Sequence, residues 1–203
     1  LVIADRSVAA SGNPAALVTP RLDAGGGTMA RLHSQAFERA VVVYRTEAPA
    51  SVIAMGALQL EAAERDRRRF DVIDQSLLFE PGALERLDAS AAGQRLGEPR
   101  VSGGLWITEG LTVEPRRVLE VWLGGCARLE TEAASLQRVD DGWRILGPGG
   151  ETLARADLVC LAAGYGARRL WPQLPLEPVR GQASFAELQE TSQAAAWGGY
   201  VIP

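Results

Sequence analysis

The sequence predicts an α+β or mixed α/β fold, with a mixed sheet and three helices packed on one side of it. Two observations support this class. Apolar runs rich in β-branched residues, such as residues 52–60, are typical of strands. Between residues 28 and 46, apolar side chains instead recur at steps of three and four, as on one face of a helix.

The first strand is predicted at Leu1, Val2 and Ile3, an apolar run that ends at Asp5 and is followed by the small-residue loop ASGN at residues 10–13. A buried parallel strand with an acid at its carboxyl end is typical of a nucleotide site. A loop of small residues lets the backbone approach a flat ligand closely. This stretch therefore predicts the middle of a nucleotide-binding unit.

Composition limits the classes of function. The chain has 203 residues, 47% of them hydrophobic, and a net charge of −4, which predicts one ordinary globular domain, with or without an appendage, and no general affinity for nucleic acid or membranes. Two cysteines without a CxxC pattern, Cys126 and Cys160, and a single histidine predict no metal site. We expect a cytoplasmic location, since neither a membrane-spanning run nor a signal-peptide pattern is present.

Helices are predicted over residues 28–46, 61–78 and 81–96, with Thr28 capping the first and Pro81 in the first turn of the third. The first helix should bury one apolar stripe and leave His33 off that face. The stripe consists of Met29, Leu32, Ala36, Phe37, Ala40, Val41 and Tyr44.

Strand signals dominate after residue 97. Two strands are predicted at 101–107 and 110–113, then a helix from Pro115 that ends at the two glycines 124 and 125. Short strands separated by DDG and GPGG turns predict a meander. Those strands are at residues 127–132, 135–139, 143–146 and 151–153.

Residues 156–161, with the sequence ADLVCL, predict another buried strand, in which Cys160 would be a small core residue. This strand enters the small-residue turn AAGYGA, as expected where a backbone passes a cofactor. We expect it to lie beside the strand at Leu1–Ile3 in one parallel sheet.

One dense basic cluster occurs, at residues 65–69. One interpretation is a solvated helix face whose arginines pair with Glu61, Glu64 and Asp71. The alternative is a patch that contacts the phosphates of RNA.

Four strings, SGNPAALVTPRL, LAAGYGARRL, LPLEPVRGQAS and GGYVIP, occur in the order and spacing of one flavoprotein family. The chain resembles the FAD-dependent family of D-amino-acid oxidase and glycine oxidase, and within it the branch that modifies tRNA. The resemblance divides the chain between a cofactor part and a substrate part. It implies a remnant of the FAD-binding domain at 1–22, a substrate-binding subdomain with a β-meander at 23–155, an FAD-domain strand and turn at 156–172, and substrate-domain strands at 173–203.

The resemblance also implies roles for single residues, none of them a certain catalytic one. The residues implied in FAD binding are Asp5 and Arg6 at the adenosine ribose, Ser11, Gly12 and Asn13 near the flavin ring and ribityl chain, and Ala163 and Gly164 at a strand end against the cofactor. The residues implied in substrate binding are Arg180, Gln182 and Tyr200. Arg180 is a candidate for bidentate binding of a carboxylate.

The implied reaction is oxidation of a carboxymethylaminomethyl group on the wobble uridine of tRNA, which releases the carboxymethyl arm as glyoxylate. A fused methyltransferase domain is the expected partner domain. The alternatives are an oxidase of a small amino acid such as glycine, or a substrate-binding module that is catalytically silent in isolation. No G-x-G-x-x-G string occurs in the 203 residues, so we expect a partial domain that by itself is inactive and does not hold FAD.

Overall fold

The structure is a computed structural model that describes residues 1–4, 10–179, 181–184 and 193–202. The chain divides into two compact units. The smaller unit comprises residues 1–8 and 125–187, and the larger unit comprises residues 9–124 and 188–203. In the part of the chain that is described, no helix is long and apolar enough to cross a membrane.

The described strands are, in chain order, β1 Val2–Ile3, β2 Ala16–Val18, β3 Val52–Leu60, β4 Leu84–Leu87, β5 Gly104–Val113, β6 Arg128–Leu129, β7 Ser135–Val139, β8 Gly142–Leu146, β9 Thr152–Ala156, β10 Ala194–Ala196 and β11 Tyr200–Val201. The described α-helices are α1 Thr28–Glu47, α2 Glu64–Asp74, α3 Ala89–Leu96, α4 Pro115–Trp122 and α5 Ala167–Leu170. Short 3₁₀ turns lie at Ala10–Gly12, Pro49–Ser51 and Gly164–Gly166.

The larger unit is built on a mixed sheet with the strand order β11-β10-β3-β5-β2, and β4 pairs with β5 beside this path. β10 runs parallel to β3, and the other pairs are antiparallel. The long strand β5 is the centre, since it pairs with β2, β3 and β4. A mixed sheet combined with helices confirms the predicted fold class.

The predicted strand at 52–60 is confirmed as β3, and its glycine lies at an irregularity in the pairing with β5. The register between β3 and β5 shifts between Met55 and Ala57, so Gly56 lies in a bulge. Its φ of +89° lies in the left-handed region, and a Cβ there would overlap the indole ring of Trp106. Gly56 therefore meets both a conformational and a steric requirement.

Helices cover both faces of this sheet. Leu105 packs with Phe70 and Ile73 of α2, whereas the next residue, Trp106, packs with Ala92 of α3. Because successive residues of a strand point to opposite faces, α2 and α3 lie on opposite sides. α1 joins the α2 face through Phe37 and Val41, which pack on Ile107, Leu111 and Val113. The expectation of helices on one side only is therefore wrong for α3.

The predicted helix at 81–96 is also wrong in its first half, which is strand β4. The backbone of Leu84 and Arg86 pairs with β5, and tertiary pairing of this kind overrides a weak helix propensity. The helix begins only after Asp88, whose Oδ1 accepts a hydrogen bond of 2.8 Å from the Ala91 N–H. The predicted helix at 61–78 is likewise shorter, as α2.

The two strands predicted at 101–107 and 110–113 form the single strand β5. The predicted turn between them lies within the strand, where Thr108 and Glu109 are exposed. The Thr108 N–H donates to the Ala83 carbonyl at 3.0 Å, so the backbone stays extended and paired. The helix from Pro115 is confirmed as α4.

The predicted helix at 28–46 is confirmed as α1, with a rotated buried face. Phe37 and Val41 are buried as predicted, but Met29 and Leu32 are 54% and 53% exposed. Besides Phe37 and Val41, the buried residues of this helix are Ala30 and Ser34. Thr28 is the first helical residue rather than the cap, since the Arg31 N–H bonds to the carbonyl of Gly27.

The smaller unit contains the predicted meander as β7, β8 and β9. Trp143 of β8 is half-buried and packs edge-on against Trp171, with ring centroids 5.9 Å apart. The first strand predicted for this meander is instead β6, which pairs in parallel with β1, Val2 opposite Arg128.

The buried strand predicted at 156–161 is wrong. Ala156, the last residue of β9, pairs with Trp143 of β8. Because β8 begins only one residue before Trp143, β9 cannot continue its pairing with β8 beyond Ala156. Residues 157–163 are in no strand, Leu158 is 84% exposed and Cys160 is exposed rather than in the core. The expected pairing of this segment with β1 is therefore also wrong, and the described partner of β1 is β6.

Candidate functional site

The predicted flavin loop begins in the 3₁₀ turn Ala10–Gly12, which contacts α4 and leads into β2. Ser11, Gly12 and Asn13 are all exposed. A Cβ on Gly12 would have no atom within 4 Å, and its φ is outside the left-handed region. The fold itself therefore does not require glycine at position 12, whereas a flat ligand laid on this backbone would require it.

This openness allows a clean test of the loop. We expect Gly12→Ala to weaken FAD binding by the full-length protein by about tenfold, because a methyl group forced into a tight contact costs roughly 1–3 kcal/mol. The melting temperature without added FAD should stay unchanged. FAD titration followed by flavin fluorescence measures the affinity.

The control is Gly125→Ala, a second glycine with open space around its Cβ position and no left-handed φ. This variant should bind FAD as the wild type does. Equal FAD affinity of all three proteins would exclude a close approach of the cofactor at Gly12.

The second predicted cofactor segment, Ala163 and Gly164, is exposed and forms the start of a short turn in the smaller unit. Gly164 has a φ of +54°, a left-handed value that favours glycine. The turn continues into α5, whose Ala167 is buried. A left-handed glycine before a helical turn leaves small, exposed backbone, which fits the approach of a cofactor.

Tyr200 lies on the edge strand β11, in a hairpin with β10 whose turn contains Gly198 at a φ of +110°. Its register partner is Ala196, whose carbonyl accepts a hydrogen bond of 3.1 Å from Gln59 Nε2. Tyr200 is 58% exposed. The hairpin thus presents a phenol at the rim of the sheet.

The other predicted substrate residues are less constrained. Gln182 is exposed in residues 181–184, which form no strand. Asp5, Arg6 and Arg180 lie outside the described residues, so their predicted roles stay predictions.

The predicted residues are distributed over both units. Ser11, Gly12, Asn13 and Tyr200 belong to the larger unit, and Ala163, Gly164 and Gln182 belong to the smaller one. Within the larger unit, the loop precedes β2 at one edge of the sheet and Tyr200 lies on β11 at the other. Four strand spacings of about 4.8 Å separate these edges by roughly 19 Å along the sheet. The strand order alone therefore does not place the loop beside Tyr200.

A charged centre that the sequence did not indicate surrounds Arg86 on β4. Its guanidinium bonds to Glu61, to Asp71 at 2.9 Å, and to the carbonyls of Leu87 and Gly104 at 3.1 and 3.0 Å. Burial by itself lowers the pKa of Arg86, but hydrogen bonds and attraction from the two carboxylates outweigh it and raise that pKa. The group joins β4, β5 and α2. It was missed because residues 81–96 were predicted as one helix.

No group of three or more metal-binding side chains occurs among the residues that the structure describes. Both cysteines are free and exposed. In each unit, the described candidate residues are exposed small-residue backbone or single polar side chains.

Comparison with protein families identifies the group. The model of the FAD-dependent oxidoreductases, the DAO family, matches residues 1–203. The chain belongs to this family. The exposed small-residue segments at Gly12 and Gly164 thus lie in a member of an FAD-dependent family.

One curated protein similar to this chain is the tRNA 5-methylaminomethyl-2-thiouridine biosynthesis bifunctional protein MnmC of Caulobacter sp. strain K31. It is 48% identical over 200 residues, which are 98% of this chain and 33% of the relative. The protein of the same name from Caulobacter vibrioides is 44% identical over 197 residues, 97% of this chain and 32% of the relative. The chain spans about a third of the length of these relatives.

Solved structures share the fold of this DAO member. Iminodiacetate oxidase from Chelativorans sp. BNC1 has a TM-score of 0.59 at 21% identity, over 86% of this chain and 51% of that one. Amadoriase I, the fructosyl amine:oxygen oxidoreductase of Aspergillus fumigatus, has a TM-score of 0.61 at 16% identity, over 80% of this chain and 41% of that one.

Proposed function

We propose that the chain is part of an FAD-dependent oxidoreductase that removes the carboxymethyl arm from carboxymethylaminomethyl-uridine at the wobble position of tRNA, releasing glyoxylate. The observation that carries the proposal is the 48% identity, over 98% of the chain, to a protein named for tRNA 5-methylaminomethyl-2-thiouridine biosynthesis. An aminomethyl product requires that a substituent leave the amine nitrogen. Oxidation of the adjacent carbon, with FAD as the two-electron acceptor, gives an imine, and water hydrolyses that imine to the amine and glyoxylate.

In this proposal the chain supplies binding and positioning. The exposed backbone at Ser11, Gly12 and Asn13 would lie against the flavin and ribityl chain, and the exposed turn at Ala163 and Gly164 would lie against the cofactor. Asp5 with Arg6 binds the adenosine ribose. When bound, FAD supplies the oxidising equivalent for the carbon next to the amine nitrogen.

The substrate carboxylate is assigned to Arg180, Gln182 and Tyr200. A guanidinium binds a carboxylate through two parallel hydrogen bonds, and a phenol adds a third donor. These side chains fix the carboxymethyl arm in one orientation. No general base is assigned to the chain.

The proposal includes a larger assembly. The relatives are bifunctional by name and about three times as long as this chain, which supports a fused methyltransferase domain. tRNA is the proposed macromolecular substrate, and the cytoplasm is the proposed location. That the 203 residues alone are inactive and hold no FAD stays a prediction.

The test is an oxidation assay with the full-length protein loaded with FAD. Undermodified tRNA that carries the carboxymethylaminomethyl group should yield glyoxylate, and nucleoside mass spectrometry should show loss of the carboxymethyl arm. Glycine and iminodiacetate are the competing substrates. Turnover of these amino acids without turnover of tRNA would replace the proposal with a small-amine oxidase.

Tyr200→Phe gives a second expected result. Loss of a hydrogen bond to a charged carboxylate costs roughly 1.5–3 kcal/mol, so KM should rise by about tenfold or more while kcat changes little. Steady-state kinetics on the tRNA substrate measures this split. A substrate whose carboxylate is esterified serves as the control, because its KM should be the same for both proteins. An unchanged KM for the acid would remove Tyr200 from the substrate site.

A further inference from the structure

The charged side chains of α2 are unevenly distributed around the helix, with most of the arginines on one flank and most of the exposed acids on the other. Asp66, Phe70 and Ile73 are buried and define the inner face of the helix. Successive residues are about 100° apart around a helix axis. On that geometry one flank contains only basic and apolar side chains, namely Arg65, Arg68, Arg69 and Val72. The other flank contains Glu64, Arg67, Asp71 and Asp74.

Of the three acids expected to pair with this cluster, Glu61 and Asp71 are engaged elsewhere, whereas Glu64 is exposed and makes no ion pair within the described part of the chain. Glu61 and Asp71 both bind Arg86, and Asp66 accepts hydrogen bonds of 3.1 and 3.0 Å from the N–H groups of Ala62 and Ala63. The pairing expected for Glu61 and Asp71 with the cluster is therefore wrong, because both carboxylates bind Arg86, which lies on β4 and not on α2.

The basic flank consequently keeps its charge. Within the described part of the chain, Arg65 and Arg68 are exposed and make no ion pair. Arg69 is 42% exposed, lies 3.6 Å from Asp66, and stacks over Phe70 with its Cζ 5.2 Å from the ring centre. Arg69 is thus positioned by its neighbours, and the other two guanidinium groups are free to bind an anion.

We propose that this flank, formed by Arg65, Arg68 and Arg69, binds the phosphate backbone of tRNA. The inference rests on the proposed function, which it deepens by naming where the chain contacts the nucleic acid. Residues three and four apart on a helix have Cβ atoms about 5–6 Å apart, so the three side chains can reach successive phosphates of one strand. The guanidinium fork matches phosphate oxygens in geometry and charge.

A polynucleotide is the partner that fits best. The chain as a whole has a net charge of −4, so a polyanion needs a locally basic patch. α2 provides one on a single flank of a helix whose inner face is fixed in the core. Backbone contacts of this kind position a substrate without reading its sequence.

The experiment measures binding of unmodified tRNA to the full-length protein as a function of salt. Arg65→Gln combined with Arg68→Gln should weaken binding roughly tenfold and lower the slope of log K against log salt by about 2, one for each lost phosphate contact. KM for tRNA should rise while kcat stays unchanged. A binding constant and salt slope equal to those of the wild type would overturn the inference.

Two controls locate the effect. Arg67→Gln removes one charge from the acidic flank of the same helix, and the pair Arg39→Gln and Arg116→Gln removes two exposed charges from α1 and α4. All of these variants should bind tRNA as the wild type does. If the Arg39→Gln and Arg116→Gln pair lost as much tRNA affinity as the Arg65→Gln and Arg68→Gln pair, the inference would be overturned, because the effect would then come from the net charge of the protein.

The result also separates the inference from the proposed function. If the wild type binds and oxidises tRNA but the double variant equals its control, only the assignment of this flank is wrong. If the wild type neither binds nor oxidises tRNA, the proposed function fails, and this inference fails with it.

Discussion

Gly56→Ala is expected to destabilise the protein by about 2–4 kcal/mol. An L-residue at a φ of +89° is strained by about 1 kcal/mol, and the added methyl group would overlap Trp106, adding roughly 1–3 kcal/mol of overpacking. Trp106 cannot move freely, because it is 8% exposed and packs with Leu58 and Ala92. The free energy of unfolding is measured by urea denaturation followed by tryptophan fluorescence.

Gly82→Ala is the matched control. Gly82 has a similar φ of +83°, but a Cβ there would meet no atom within 4 Å. We expect a loss of only about 1 kcal/mol, the backbone contribution alone. Equal losses at both glycines would show that Trp106 yields without cost.

Arg86→Met is expected to cost about 2–3 kcal/mol. The substitution keeps the apolar stem but removes the donor for two carboxylates and two backbone carbonyls, and part-buried groups left unpaired carry the cost. The Arg86 side chain is 23% exposed, so water compensates only in part. Urea denaturation again gives the free energy of unfolding.

Arg45→Met is the control for this change. Arg45 pairs with Glu109 at 3.1 Å, but the two side chains are 51% and 48% exposed. A surface pair of this kind contributes roughly 0–1 kcal/mol. A cost at Arg86 as small as at Arg45 would mean that Glu61 and Asp71 are satisfied by water.

The sequence predicted those elements that local chemistry determines. β3 is a long apolar run that begins with two β-branched residues, and α4 begins at a proline. The wrong predictions occur where pairing with a strand that is distant in the sequence determines the secondary structure. Leu84 and Arg86 have side chains that suit a helix, but pairing with β5 makes them a strand. Thr108 and Glu109 resemble a turn, but the Ala83 carbonyl holds the backbone extended.

The family was predictable from short strings, whereas the roles assigned to single residues stay predictions. SGNPAALVTPRL and GGYVIP, taken with the other two strings, indicate the family by their order and spacing along the chain. Nothing local to Tyr200 reveals that its strand is the edge of a sheet joined to β3 through β10. The acids beside Arg65 likewise suggest neutralisation, and only the placement of Arg86 reveals that two of them are occupied.

The pairing of β3 also has a consequence for synthesis. Ala57 pairs with Ile107 on one side and with Ala194 on the other, so β3 emerges from the ribosome well before either neighbour. During that interval the backbone N–H and C=O groups of β3 are unpaired and its apolar side chains are uncovered. A growing chain in this state is prone to aggregation. The hairpin that carries Tyr200 is translated after both β3 and β5. A nascent chain therefore completes the central β3–β5 ladder before it can add the proposed substrate residue.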